Sequence, residues 1–147
     1  MKALTVKQPW AGAIALGWKT IENRTWSTGY RGPLAIHAGA SIDRDARHDP
    51  RMRAALADSP DSPDRMPEFK TGAVVAVVRL VECHQAAPGC CGGTFGNPDA
   101  VHWLLAEAVP LRTPVPCPGR LGIWVLPSHL AVTVYRGALA AYPDGAR

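Results

Sequence analysis

Apolar and polar positions alternate along several short stretches of the chain, and helical spacing is confined to brief ones. Residues 4–8 alternate and predict a strand that Pro9 ends. With proline favoured at the first helical position and Gly17 just past the last, residues 9–16 read as a two-turn helix that buries Ala13, Ile14 and Leu16. Residues 20–26 alternate again, which sets Thr20, Glu22, Arg24 and Trp26 on one face of a strand and Ile21, Asn23 and Thr25 on the other. Turn formers fill 27–33 and lead into an apolar strand over 34–38, His37 lying near its end.

Residues 41–57 predict two short helices, with Ser41 as candidate cap and Pro50 breaking the pattern. The acidic, proline-rich stretch 58–67 reads as a mobile loop. Residues 71–84 carry the longest β signal, apolar on both sides as in a central strand. Residues 101–111 fit helix or strand by period, but Pro110 and Pro114 exclude a long helix and leave strand. Residues 121–126 and 129–135 are further strands, and 136–147 a flexible tail. Six or seven short strands with one or two helices give a mainly β (α+β) fold, a small barrel in one domain over 1–147.

Composition changes this picture little. The 147 residues are 47% hydrophobic and 19% charged, ordinary for a chain that buries one core. No apolar run reaches the ~20 residues of a membrane span, and the first residues lack a secretory signal, so a cytoplasmic protein that does not enter membranes is expected. Cys83, Cys90, Cys91 and Cys117 are too few for a disulfide scaffold and read as reduced thiols.

Charge is more informative. Residues 1–37 hold Lys2, Lys7, Lys19, Arg24 and Arg31 against Glu22, a balance of +4 that equals the net charge of the whole chain. Trp10, Trp18, Trp26 and Tyr30 lie in the same stretch. Cations interleaved with ring faces suit phosphate contact and base stacking; a core of rings beneath solvated cations fits the composition equally well.

Within this stretch, Gly17, Lys19, Glu22 and Arg24 set a point charge, an acceptor and a planar fork at close spacing. The pattern resembles the GxKxxExR signature of ASCH domains, relatives of the PUA RNA-binding fold. Lys7-Gln8-Pro9-Trp10, the run from Ile21 to Trp26, Tyr30-Arg31-Gly32-Pro33-Leu34 and Ile36-His37-Ala38 resemble that family's blocks in order, as do His102-Trp103 and the stretch from Gly119 to Trp124. The resemblance implies a PUA-like barrel that binds RNA or a nucleotide-like small molecule, with DNA as an alternative partner and no cofactor. It places Lys19 and Arg24 on phosphate or a base edge and Glu22 at the cleft floor. Trp10, Trp26 or Tyr30 would form a stacking face, with Lys7, Gln8, Arg31 and His37 completing the site.

Some ASCH-like proteins are enzymes. For a ribonuclease, Lys19, Glu22 and His37 would supply the cation, acid and base. For an amidohydrolase on a modified nucleoside, Glu22 stands where that branch carries threonine, which counts against it. A protein-docking adaptor would use the aromatic face without the lysine. Cys83, His84, Cys90, Cys91 and His102 are of metal-ligand type, but their spacing matches no standard zinc pattern and no metal is expected. Gly89, Gly92 and Gly93 lack the lysine of a phosphate loop. Oligomeric state is left open.

Overall fold

The computed structural model describes residues 1–58, 70–91 and 95–141. Six strands form one sheet in the order β2-β5-β4-β3-β1-β6. They are β1 (Lys2–Gln8), β2 (Ile21–Arg24), β3 (Gly32–Ile42), β4 (Ala73–Gln85), β5 (Val101–Pro116) and β6 (Ile123–Val125). Helices α1 (Trp10–Ala15), α2 (Pro50–Ala57) and α3 (Ser128–Ala140), with a 3-10 turn over Arg44–His48, complete the described chain. β1 runs parallel to β3, and the other pairings are antiparallel.

Because side chains of a strand point alternately to the two faces, the sheet carries two cores. Leu4, Leu34, Ile36, Val78 and Leu80 share one cluster with Ala11 and Ile14 of α1. Their neighbours Ala3, Ala35 and Val74 face the other way, against Val134 of α3 and its partly buried neighbours Leu130, Ala131 and Ala138. Gly17 takes φ +76 just beyond α1, the left-handed helix stop that its position predicts.

Three expectations need correction. Residues 129–135, read as a strand, belong to α3, which also takes in 136–140 of the expected tail. Leu130, Val134 and Ala138 recur every fourth residue on the buried stripe, and that packing outweighs the β-branched Val132, Thr133 and Val134. Ser41 lies in β3 and caps nothing; Asp43 accepts from the Asp45 amide and Asp49 from the Arg51 amide, and the two short helices expected here meet at Pro50, which opens α2. The sheet is also not closed into a barrel, since β2 and β6 end it without pairing to each other. Arg24 at the end of β2 instead sends Nη2 to the Thr5 carbonyl of β1 at 2.9 Å, a side-chain link across the open side.

Past Leu104, β5 pairs with β4 alone, where prolines 110 and 114 remove no bond to a second neighbour. The loop expected over 58–67 lies outside the described residues except for Asp58.

Candidate functional site

β2 orders the signature residues by its alternation. Lys19, just ahead of the strand, is 4% exposed and Glu22 is 7% exposed. Lys19 Nζ lies 3.0 Å from Glu22 Oε2, and Arg24 Nη2 lies 3.1 Å from Glu22 Oε1. One carboxylate thus sits between two cations, and Lys19 also donates to the Ile21 carbonyl. Burial pushes the Lys19 ammonium below its ordinary pKa, and the charge and hydrogen bond of Glu22 oppose that shift. Phe95 covers the lysine, its ring centroid 5.9 Å from Nζ. A buried, paired ammonium has no free face for a phosphate.

Arg24 differs, because its other side lines a cleft of about 790 Å³. Thr5, Lys7, Trp10, Glu22, His37, Asp43 and Arg120 are also on the wall. Trp10 is oriented by its indole N–H, which donates to Asp43 Oδ2 at 2.9 Å. His37 is 1% exposed. Its Nε2 lies 2.8 Å from the Cys117 carbonyl; a carbonyl only accepts, so Nε2 carries hydrogen and a neutral ring leaves Nδ1 as a bare acceptor. Nδ1 has no hydrogen-bond partner, and neither does the buried Nε of Arg24. Both atoms are buried behind the cleft surface.

Gly119 permits this arrangement. A Cβ there would lie 2.7 Å from His37 Cε1 and 2.9 Å from Thr5 Oγ1, so only glycine lets the 117–122 loop close over the imidazole. Thr5 Oγ1 ties that loop down, accepting from the Arg120 amide and the Trp124 indole at 3.2 Å each.

Of the residues the sequence nominated, Lys7, Trp10, Glu22, Arg24 and His37 share the cleft, with His37 in its buried wall rather than on its rim. Lys19 is sealed behind Glu22. Gln8 is a buried fastener whose Oε1 accepts from the Gly12 amide and whose Nε2 donates to the Lys70 carbonyl. Trp26 lines a separate hollow with Asn23 and Asn97, its ring set edge-on to Trp103 at 4.7 Å. Tyr30 and Arg31 stand apart from the cleft: Tyr30 donates to the Pro33 carbonyl beneath Lys2, and Arg31 bonds the Thr28 and Tyr30 carbonyls. Thr5, Asp43 and Arg120 were missed. The glycine pair at 119 and 122 was the one available signal for the loop that brings Arg120 in.

A second group of chemistry-bearing side chains meets at the far end of β4 and β5. His84, Cys90, Cys91 and His102 hold their ligand atoms within 4.8 Å of one another; Cys83, their neighbour in sequence, is not among them and accepts from the Thr28 amide. The Ala87 amide, followed by the His84 ring, draws the Cys90 thiol down to about 6, while burial and the adjoining Cys90 push Cys91 up to about 11.

The sheet, with its helices on both faces and the cleft at its open side, defines a PUA-like domain. A model of the ASCH domain matches residues 4–90, more than half of the chain, and the protein belongs to the ASCH family, a PUA-like group associated with RNA binding. Among solved structures, the ASCH protein of Zymomonas mobilis is similar at 13% identity with a TM-score of 0.52, covering 92% of this chain and 93% of that one. A point mutant of that protein gives a TM-score of 0.54 at 13% identity, with coverage of 92% and 96%. At this identity the likeness concerns the fold. No curated protein matches the sequence. No helix among the described residues is long and apolar enough to cross a membrane.

Proposed function

We propose that this domain binds RNA, or a nucleotide-like ligand, in the cleft bounded by α1, the end of β2 and the 117–122 loop. The observation that carries the reading is the make-up of the cleft wall, where the Arg24 guanidinium, held by Glu22, stands with the exposed Lys7 and Arg120 and the ring of Trp10. Lys7 and Arg120 supply phosphate contacts at the mouth and Trp10 a ring face. Lys19 acts as a positioning residue: it holds Glu22, and Glu22 holds the Arg24 fork.

His37 Nδ1 is also the kind of atom that takes a proton from a 2′-hydroxyl, which keeps ribonuclease chemistry as a second reading. Binding is favoured over turnover because Glu22, the acid such a mechanism would need, has one oxygen engaged by Lys19 and the other by Arg24.

The test incubates the protein with short RNAs, matched DNAs and free modified nucleosides, reading retention by tryptophan fluorescence and products by mass. Retention without products is expected. Arg24→Gln should weaken RNA binding about tenfold, in the range of one lost bidentate base contact. Cleavage by the wild type that disappears in His37→Ala would establish the second reading. Absence of binding to every member of the panel, or affinity unchanged by Arg24→Gln, would overturn the proposal.

A further inference from the structure

We infer that His84, Cys90, Cys91 and His102 form a tetrahedral Zn²⁺ site that fastens the loop between β4 and β5. The site is separate from the cleft and shares no residue with it.

The sheet register builds half of it. His84 near the end of β4 and His102 near the start of β5 are direct cross-strand partners, and their rings lie 5.8 Å apart. The loop between them supplies the thiols. Consecutive side chains ordinarily diverge, but Cys91 adopts φ 70, a left-handed conformation that few non-glycine residues take, and it brings both sulfurs to one point. His84 Nε2 lies 2.9 Å from Cys91 Sγ; His102 Nδ1 lies 3.5 Å from Cys90 Sγ and 3.4 Å from Cys91 Sγ. Zinc bonds of about 2.3 Å to sulfur and 2.0 Å to nitrogen require ligand atoms roughly 3.3–3.8 Å apart at tetrahedral angles. The four atoms need only small rotamer adjustments to meet that geometry.

The outer contacts also suit ligation. His102 Nε2 faces the Asn97 carbonyl at 2.8 Å, so the proton resides on Nε2 and the neutral ring aims a bare Nδ1 at both sulfurs. Metal-bound histidines are oriented in this way. A Cβ at Gly96 would lie 2.7 Å from His102 Cε1, so the loop backbone presses directly on the ring. Glu82 Oε1 stands 3.0 Å from His84 Nδ1; the pair is not aligned as a hydrogen bond, but the carboxylate offsets the cation's charge. Two thiolates and two imidazoles in a tetrahedron select zinc over the hard, oxygen-seeking divalent ions.

The consequence reaches Lys19. Asn23 of β2 donates to the Phe95 carbonyl and accepts from the Asn97 amide, and Asn97 Oδ1 accepts from Arg51. Phe95 in turn covers Lys19 and meets Trp10 edge-on at 6.1 Å. A metal that fixes the base of this loop steadies the wall that seals the signature lysine.

The experiment uses the full chain, purified under reducing conditions. Metal content is measured after gel filtration, and the apo protein is titrated with Zn²⁺ and with Co²⁺, whose visible bands report tetrahedral thiolate ligation. About one zinc per chain is expected, since binding of this kind is a strong folding contribution. Cys90→Ser, Cys91→Ser and His102→Gln should each weaken Co²⁺ binding by at least about 100-fold, the upper end of the loss caused by outer-contact changes alone. Cys83→Ser and Cys117→Ser should bind as the wild type does, and circular dichroism of each variant separates lost ligation from lost folding. In a folded Cys90→Ser variant, the sulfur-to-cobalt charge-transfer band should be weaker than in the wild type. A reduced wild-type protein that takes up neither metal, or folded cysteine variants that bind Co²⁺ unchanged, would overturn the inference.

Discussion

The two ends of the Lys19–Glu22–Arg24 triad have opposite surroundings. Lys19 is closed off beneath Phe95 with its charge answered by Glu22, whereas Arg24 is partly exposed on the cleft wall. On the proposed reading the two cations of one spaced signature have different tasks: the first holds the shape of the site, and the second contacts what enters it. The largest expected effect tests the closed end. Glu22→Gln removes the charge that compensates Lys19 and should destabilise the protein by about 3 kcal/mol, the lower part of the range for breaking a buried pair, as read by urea denaturation. A loss within experimental scatter of zero would mean that Lys19 is hydrated, and the contrast between the two ends would fail.

The same burial gives a pH signature. The folded Lys19 has a pKa below the ordinary 10.5, so between those two values the unfolded chain binds more protons than the folded one, and stability rises with pH through that window. Lys19→Met should remove this alkaline rise, measured as the difference in urea midpoint between neutral and alkaline buffer. A rise that persists in the variant would assign it to another group.

At the open end, Gly119→Ala should cost about 2 kcal/mol, within the usual range for overpacking. The added methyl carbon would lie 2.8 Å from His37 Nδ1 as well as against Thr5 Oγ1, so ligand affinity should fall with stability. Loss of stability with affinity intact would separate His37 from recognition.

What the sequence disclosed follows from where the information resides. β1, α1, β2 and β3 are delimited by period and by Pro9 and Gly17, both local signals, and the Glu22 and Arg24 face of β2 could be read from alternation alone. α3 could not, because Val132, Thr133 and Val134 mimic a strand and the contacts that outweigh them come from Val74, Leu111 and Val115 on distant strands. Spacing grouped Lys19 with Glu22 and Arg24, with which it forms a linked set of ion pairs, but carried no measure of its burial beside Phe95, far along the chain. His84, Cys90, Cys91 and His102 were recognisable in the sequence as residues of metal-ligand type, but their convergence was not, for the same reason. Their spacing fits no zinc pattern, and their convergence comes from the register that sets His84 opposite His102.

The smallest expected effect separates the cations most directly. Lys7 is exposed at the cleft, where a lysine that meets one phosphate releases about one counterion, so Lys7→Gln should lower RNA affinity by a few-fold and reduce the slope of log affinity against log salt by about 1. Lys19→Met should leave that slope unchanged, because a sealed ammonium displaces no counterion from the ligand, even where the substitution weakens binding by loosening Glu22 and Arg24. Salt titrations of both variants at matched temperature decide the matter. Equal reductions in slope would place both lysines on the phosphates, whereas a reduction in Lys7→Gln alone fits a signature whose first cation acts entirely from inside the fold.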